Sequence, residues 1–126
     1  MRNTLKKCFA VLLVVCMLAG MIPGSFAATQ QVSTLGALQS ALAGAADGSV
    51  IDVTADIQLT EALTVNGKVT LTSSTGKSLL RAGNYKSYMI IVANGGELTL
   101  EDIIINGNRT SYQTADLATE MIVVQE

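Results

Sequence analysis

From Gly95 to Asn108 the chain reads GGELTLEDIIINGN. Leu98 and Leu100 alternate with Glu97, Thr99 and Glu101, the period-two signature of a strand with one buried and one wet face. Continued unbroken, that alternation would turn Asp102 and Ile104 inward and bury a carboxylate with no visible partner. A corner at Glu101 and Asp102 resets the phase, so that Ile103 and Ile105 return to the interior and Ile104 stays on the outer face. Asn106-Gly107-Asn108 closes the unit, because asparagine and glycine tolerate the positive φ of tight turns. On this reading Leu100 faces a core, and Leu100→Asp is expected to cost several kcal/mol through an unpaired buried charge.

Upstream, the residues from Ala28 to Val32 form a polar lead-in. Ser33 or Thr34 is placed to cap a helix whose apolar positions, Leu35, Leu38, Leu42 and Ala45, follow helical spacing. Asp47-Gly48 is the expected stop. Alternating or apolar runs then predict strands at Val50 to Val53, Asp56 to Leu59, Leu63 to Val65 and Val69 to Thr72, and Ser73 to Tyr88 reads as a polar loop excursion. Asn66-Gly67 between two apolar pairs is also a strong hairpin signal, so an antiparallel arrangement stays open. Direct pairing of Val65 with Val69 would mark that arrangement; parallel stacking of Leu71 beside Leu100 would exclude it.

The chain is self-similar. Val65 to Leu71 matches Val92 to Leu100 in order and character, and Met121 to Val124 matches Met89 to Val92, at returns of about thirty residues. Such returns characterise stacked repeats whose strands pair with those of the next copy. The segments ADGSVIDVTADIQLTEALTV, NGKVTLTSS and GGELTLEDIIINGN together resemble the N-terminal part of a right-handed parallel β-helix, the pectate-lyase-like fold of bacterial surface and adhesin-like proteins. The resemblance covers most of the chain after its leader. It implies an all-β fold, a right-handed parallel β-helix (solenoid) with a short N-terminal capping α-helix: lead-in and helix over 28–48, coils over 49–126. The repeat breaks off after Gln125-Glu126, so a truncated solenoid is expected, with an exposed last coil open to self-association.

The N-terminus changes the picture of address. Arg2, Lys6 and Lys7 precede an apolar run from Phe9 to Ala19, and Ser25-Phe26-Ala27 ends in the small-x-small pattern of a signal peptide, with cleavage expected after Ala27. The run is short for a bilayer span and is followed by Pro23-Gly24, so no membrane span is expected after its removal. Cleavage would remove both cysteines, Cys8 and Cys16, and three of the eight basic residues. Five basic against ten acidic residues would remain, a net charge of −5 and no basic stripe for nucleic acid. An exported chain without cysteine reads as bacterial rather than as a disulfide-stapled domain. Aromatics are scarce, with three Tyr, two Phe and no Trp, so the core is built from Val, Ile, Leu and Ala.

The sequence has no histidine. Serine–histidine and cysteine–histidine nucleophiles are thereby excluded, and carboxylates remain the acid–base candidates. Glu101 and Asp102 are the pair to consider for calcium or for polysaccharide cleavage, as the resemblance to β-helix lyases implies, with Arg81 or Arg109 as the available base. The plainer reading is a solvated corner lacking the second acidic cluster that a hard cation needs. Asn66, Asn94, Asn106 and Asn108 suit either a sugar-facing ladder or simple turns, and Tyr85, Tyr88 and Tyr112 suit sugar stacking or packing over a strand. No cofactor is expected. The function these residues favour is a secreted or cell-surface, non-catalytic module, adhesin-like or structural, with carbohydrate or a host or cell-surface ligand as partner. The alternative is the N-terminal part of a polysaccharide lyase or glycoside hydrolase with catalytic coils beyond residue 126.

Overall fold

The structure, a computed structural model, describes residues 28–83, 85–111 and 120–126. The expected leader and the cleavage after Ala27 lie outside these residues, as does Tyr112. In chain order the elements are β1 (Thr29–Val32), α1 (Leu35–Ala43), β2 (Ser49–Val53), β3 (Ile57–Leu59), β4 (Leu63–Val65), β5 (Lys68–Thr72), β6 (Ser78–Arg81), β7 (Ile90–Val92), β8 (Glu97–Glu101), β9 (Ile104–Asn106), a 3-10 turn (Arg109–Ser111) and β10 (Ile122–Val124).

The described strands form three sheets, in the orders β1-β2-β5-β8, β3-β6-β9 and β4-β7-β10, and every pairing is parallel. Alternation decides the registers. Ile51, Leu71 and Leu100 fall in one column, Val69 and Leu98 in the next, and Ile57, Leu79 and Ile105 in another sheet. A shift of one residue would expose every one of these side chains, so the apolar period fixes the stacking. The buried core is aliphatic: Ile51, Val53, Leu59, Leu63, Val65, Leu71, Leu79 and Ile90 are all essentially inaccessible. Leu71 beside Leu100 excludes the antiparallel hairpin at Asn66-Gly67, since β4 and β5 belong to different sheets.

Helix α1 begins where the sequence suggests. Thr34 is extended (φ −134°, ψ 157°), and its side chain accepts a hydrogen bond from the Ala37 backbone N–H, 3.2 Å. The helix ends at Gly44, earlier than Asp47-Gly48. Leu38, Ala41 and Leu42 are its buried face. They lie chiefly over β4, with further contacts to β1, β2 and β3. One terminal strand of each sheet is therefore under the helix, and the opposite terminal strands are β8, β9 and β10.

Several expectations are corrected. The expected right-handed parallel β-helix is corrected to a mostly β chain whose described strands form three short parallel sheets, with one helix. Paired residues are separated by 20 positions from Ser49 to Val69 and by 32 from Ile90 to Ile122, so the return is shorter at the N-terminal end than the thirty or so expected. The apolar columns tolerate connections of unequal length, because loop closure costs little per added residue. The polar lead-in contains β1, and the loop excursion contains β6. Leu100 does occupy an inward column, but on the terminal strand, where 38% of it stays exposed. The buried-charge penalty expected for Leu100→Asp belongs instead to Leu71, which is fully buried.

Candidate functional site

The polar chemistry divides between side chains that join strands and side chains at the end of the sheets away from α1. Asp52 lies on β2 in register with Thr72 of β5. One of its carboxylate oxygens accepts the Ser74 backbone N–H at 2.8 Å and the other accepts the Ser74 hydroxyl at 2.7 Å. Four residues on, Asp56 pairs with Ser78 in a related way, a single carboxylate oxygen accepting both the Ser78 backbone N–H at 2.8 Å and its hydroxyl at 3.0 Å. Asp47 accepts the Lys68 N–H at 3.1 Å. Donation from the serine N–H, then from the hydroxyl, holds the Asp52 and Asp56 carboxyls below their ordinary value, because both bonds favour the charged form. Buried Ser73 completes the junction: its hydroxyl donates to the Val53 carbonyl at 2.7 Å and accepts the Lys77 N–H at 2.7 Å.

Sequence reasoning missed these junctions. The signal was present in the equal spacing of Asp52 and Asp56 against Ser74 and Ser78, each partner 22 residues downstream.

The sequence-nominated residues fall elsewhere. Glu101 ends β8, and Asp102 forms the corner after it with φ 49°, both exposed. The corner is therefore real and the phase reset follows it: Ile103 and Ile105 pack against the core while Ile104 is 56% exposed. Among the described residues no group of three or more His, Cys, Asp or Glu is placed to hold a metal ion. Arg81 is buried in the column of Leu59, with its guanidinium 3.5 Å from the Glu120 carbonyl, whereas Arg109 is exposed on the 3-10 turn. The two available bases are thus not equivalent, Arg81 being buried and Arg109 exposed. Asn108 (φ 53°) donates its backbone N–H to the Asn106 side-chain oxygen at 2.9 Å and its side-chain amide to the Arg81 carbonyl at 3.1 Å. The first is turn chemistry, and the second ties that turn to the end of β6. Tyr85 donates its hydroxyl to the Tyr88 carbonyl at 2.6 Å, and both rings are half-buried.

The distal end has a different character. Each of β8, β9 and β10 pairs with a described strand on one side only. Leu98, Ile103, Ile105 and Ile122 pack on the core from there, and Leu100 (38%), Ile104 (56%) and Val124 (65%) are exposed. Gly107 comes so close to Met121 that a Cβ there would lie 2.9 Å from the sulfur, which joins the β9 turn to the approach of β10. Glu97 and Glu101 flank Leu98-Thr99-Leu100, and Glu97 meets Lys68 of β5 at 3.5 Å on the surface. Among the described residues this edge combines backbone groups with no described strand beside them, apolar side chains and two carboxylates.

No family model, no curated protein and no solved structure matches the chain. Among the described residues no helix is long and apolar enough to cross a membrane.

Proposed function

We propose that the protein is a secreted or cell-surface, non-catalytic module with an adhesin-like or structural role, whose ligand is carbohydrate or another cell-surface component. The observation that carries this reading is the use made of the polar side chains. Asp47, Asp52, Asp56, Ser73, Ser74 and Ser78 bond strand to strand or corner to strand. A scaffold whose polar side chains serve register holds surfaces in fixed positions, which is what attachment requires. The leader-like segment from Met1 to Ala27 supports export.

The test is expression of the full chain in a bacterial host, with mass analysis of the exported fraction and binding of that fraction to intact cells and to immobilised polysaccharides. A product beginning at Ala28 that adheres without altering the polysaccharide is the expected result. Retention of Met1 inside the cell would overturn export, and release of shortened sugar chains would overturn the non-catalytic reading.

A further inference from the structure

We propose that Asn66–Gly67 is a site of deamidation in the folded chain. The Gly67 backbone nitrogen attacks the Asn66 side-chain amide and converts the residue to aspartate or isoaspartate, which loosens the corner between β4 and β5. The site stands on the described neighbours of that corner and does not depend on export.

The corner has described chain on both of its sides along the stack. Toward β2, Asp47 accepts the Lys68 N–H at 3.1 Å, and the Gly48 N–H donates to the Lys68 carbonyl at 2.8 Å. Toward β7 and β8, the Ala93 N–H donates to the Val65 carbonyl at 2.9 Å, and the Glu97 N–H to the Gly67 carbonyl at 3.0 Å. The chain is thus held just before Asn66 and just after the Gly67 nitrogen. Among the described residues, the Asn66 carbonyl, the Asn66 side chain and the Gly67 N–H have no hydrogen-bond partner, and Asn66 is exposed. The attacking nitrogen and the attacked carbon therefore both lie in the one unbonded link between two anchored ones.

The chemistry is intramolecular, and its nucleophile carries no Cβ to shield it. The Gly67 N–H proton passes to solvent base, the nitrogen bonds to the Asn66 side-chain carbonyl carbon, and ammonia leaves. A cyclic imide results. Water then opens the ring at one carbonyl to give aspartate, or at the other to give isoaspartate, whose backbone is longer by a methylene.

The other two Asn–Gly pairs differ in ways that isolate this one. Asn106 lies within β9, and its side-chain oxygen is held by the Asn108 N–H at 2.9 Å, a bond that must break before its carbonyl carbon can turn toward Gly107. Asn94–Gly95 lies in a turn closed by the Gly96 N–H on the Ala93 carbonyl at 2.8 Å, so a methylene added there falls inside the closed turn. At Asn66 the same methylene falls between β4 and β5, which belong to different sheets, and works against the bonds to Glu97 and Asp47 together. Either product also adds a carboxylate to a corner where an Asp47 oxygen lies 3.2 Å from the place a Cβ on Gly67 would occupy.

The full chain is incubated in heavy-oxygen water at mildly alkaline pH, then mapped by peptide mass and tested for its urea midpoint. Asn66 is expected to take up label about tenfold faster than Asn106, which must first give up a side-chain hydrogen bond. The midpoint should fall as Asn66 converts. Asn66→Gln, whose longer side chain closes the ring far more slowly, should hold its midpoint through the same incubation, whereas Asn94→Gln should lose as wild type does. In urea that unfolds the chain, the difference between Asn66 and Asn106 should close. No label at Asn66, equal rates at Asn66 and Asn106 in the folded chain, or a difference that persists in urea would overturn the proposal. So would a midpoint that falls in Asn66→Gln as fast as in wild type.

Discussion

Asp52 and Ser74, 22 residues apart in sequence, are joined by two hydrogen bonds of 2.8 and 2.7 Å that use both oxygens of one carboxylate. The bond from the Ser74 N–H fixes the chain where it leaves β5, immediately after the strand that pairs with β2. Asp56 and Ser78 hold the start of β6, so the chain between β5 and β6 is anchored at both ends to the stretch from Asp52 to Asp56.

These carboxyls make stability depend on acid. Their folded pKa values lie below the ordinary value of 3.8, chiefly because the serine N–H groups donate to the ionised form. A carboxyl depressed on folding contributes stability above its unfolded pKa and loses it as pH falls through the folded one. The contribution is therefore complete above about pH 5 and declines below 3.8. Urea titrations at a series of pH values should give a wild-type midpoint that falls in this acid range. The double variant Asp52→Asn/Asp56→Asn should be less stable at pH 7 and lose less on acidification. An identical acid loss in both proteins would show that the junctions do not contribute through ionisation.

Position along a column should govern the cost of truncation. Leu71 and Leu100 are adjacent in one column, but Leu71 is fully buried while Leu100 remains 38% exposed. Leu71→Ala is expected to cost about 2–5 kcal/mol, the range for emptying a buried leucine site. Leu100→Ala should cost roughly 1 kcal/mol, because much of that side chain never leaves water. Chemical denaturation of the two variants checks the contrast, and equal losses would mean that Leu100 is covered in solution.

The same contrast separates what was legible in the sequence from what was not. The corner at Asp102 could be read because a buried carboxylate is costly enough to force a phase change, Leu63–Val65 was equally plain, and the helix cap was narrowed to Ser33 or Thr34, of which Thr34 is the one used. β1 was missed because three of its four residues are exposed, so it carries no apolar alternation and is recognised only by pairing with β2. β6 was missed because Arg81, an inward position, looks like a surface residue. The helix was read too long because Ala45 continues its spacing, although Gly44 already caps it. Glu101 and Asp102 could be located as a corner from local pattern. The Asp52–Ser74 and Asp56–Ser78 junctions were missed because their signal is an equal spacing of 22 residues, which short-range periodicity does not register.

Ser73 tests whether a single buried hydroxyl matters to this scaffold. It donates to the Val53 carbonyl and accepts from the Lys77 N–H, both at 2.7 Å. Ser73→Ala leaves both backbone groups without that partner, for an expected loss of about 1–3 kcal/mol. Hydrogen exchange at Lys77 should accelerate in the variant beyond the change in global stability. Unchanged protection there would show that water replaces the hydroxyl.

Gly96 sets how closely two strands can approach. A Cβ at this position would lie 2.6 Å from the Val65 carbonyl oxygen, 2.9 Å from that of Ala93 and 3.1 Å from a Val92 methyl. The first two are backbone atoms, which cannot rotate away as a side-chain tip would. The Ala93 N–H is bonded to that same Val65 carbonyl at 2.9 Å, and the Gly96 N–H to the Ala93 carbonyl at 2.8 Å, so relief by backbone movement would stretch bonds that hold β4 beside β7. Gly96→Ala is therefore expected to destabilise by roughly 1–3 kcal/mol through overpacking. Gly95 is a control of a different kind, because its φ of +81° disfavours any side chain although open space surrounds it. The two glycines are distinguished by asparagine, which tolerates positive φ better than alanine does. Gly95→Asn should recover much of the loss caused by Gly95→Ala, whereas Gly96→Asn should be at least as damaging as Gly96→Ala. Thermal denaturation of the four variants reads the result. Rescue by asparagine at position 96 would show that conformation, rather than contact with Val65, is what demands glycine there.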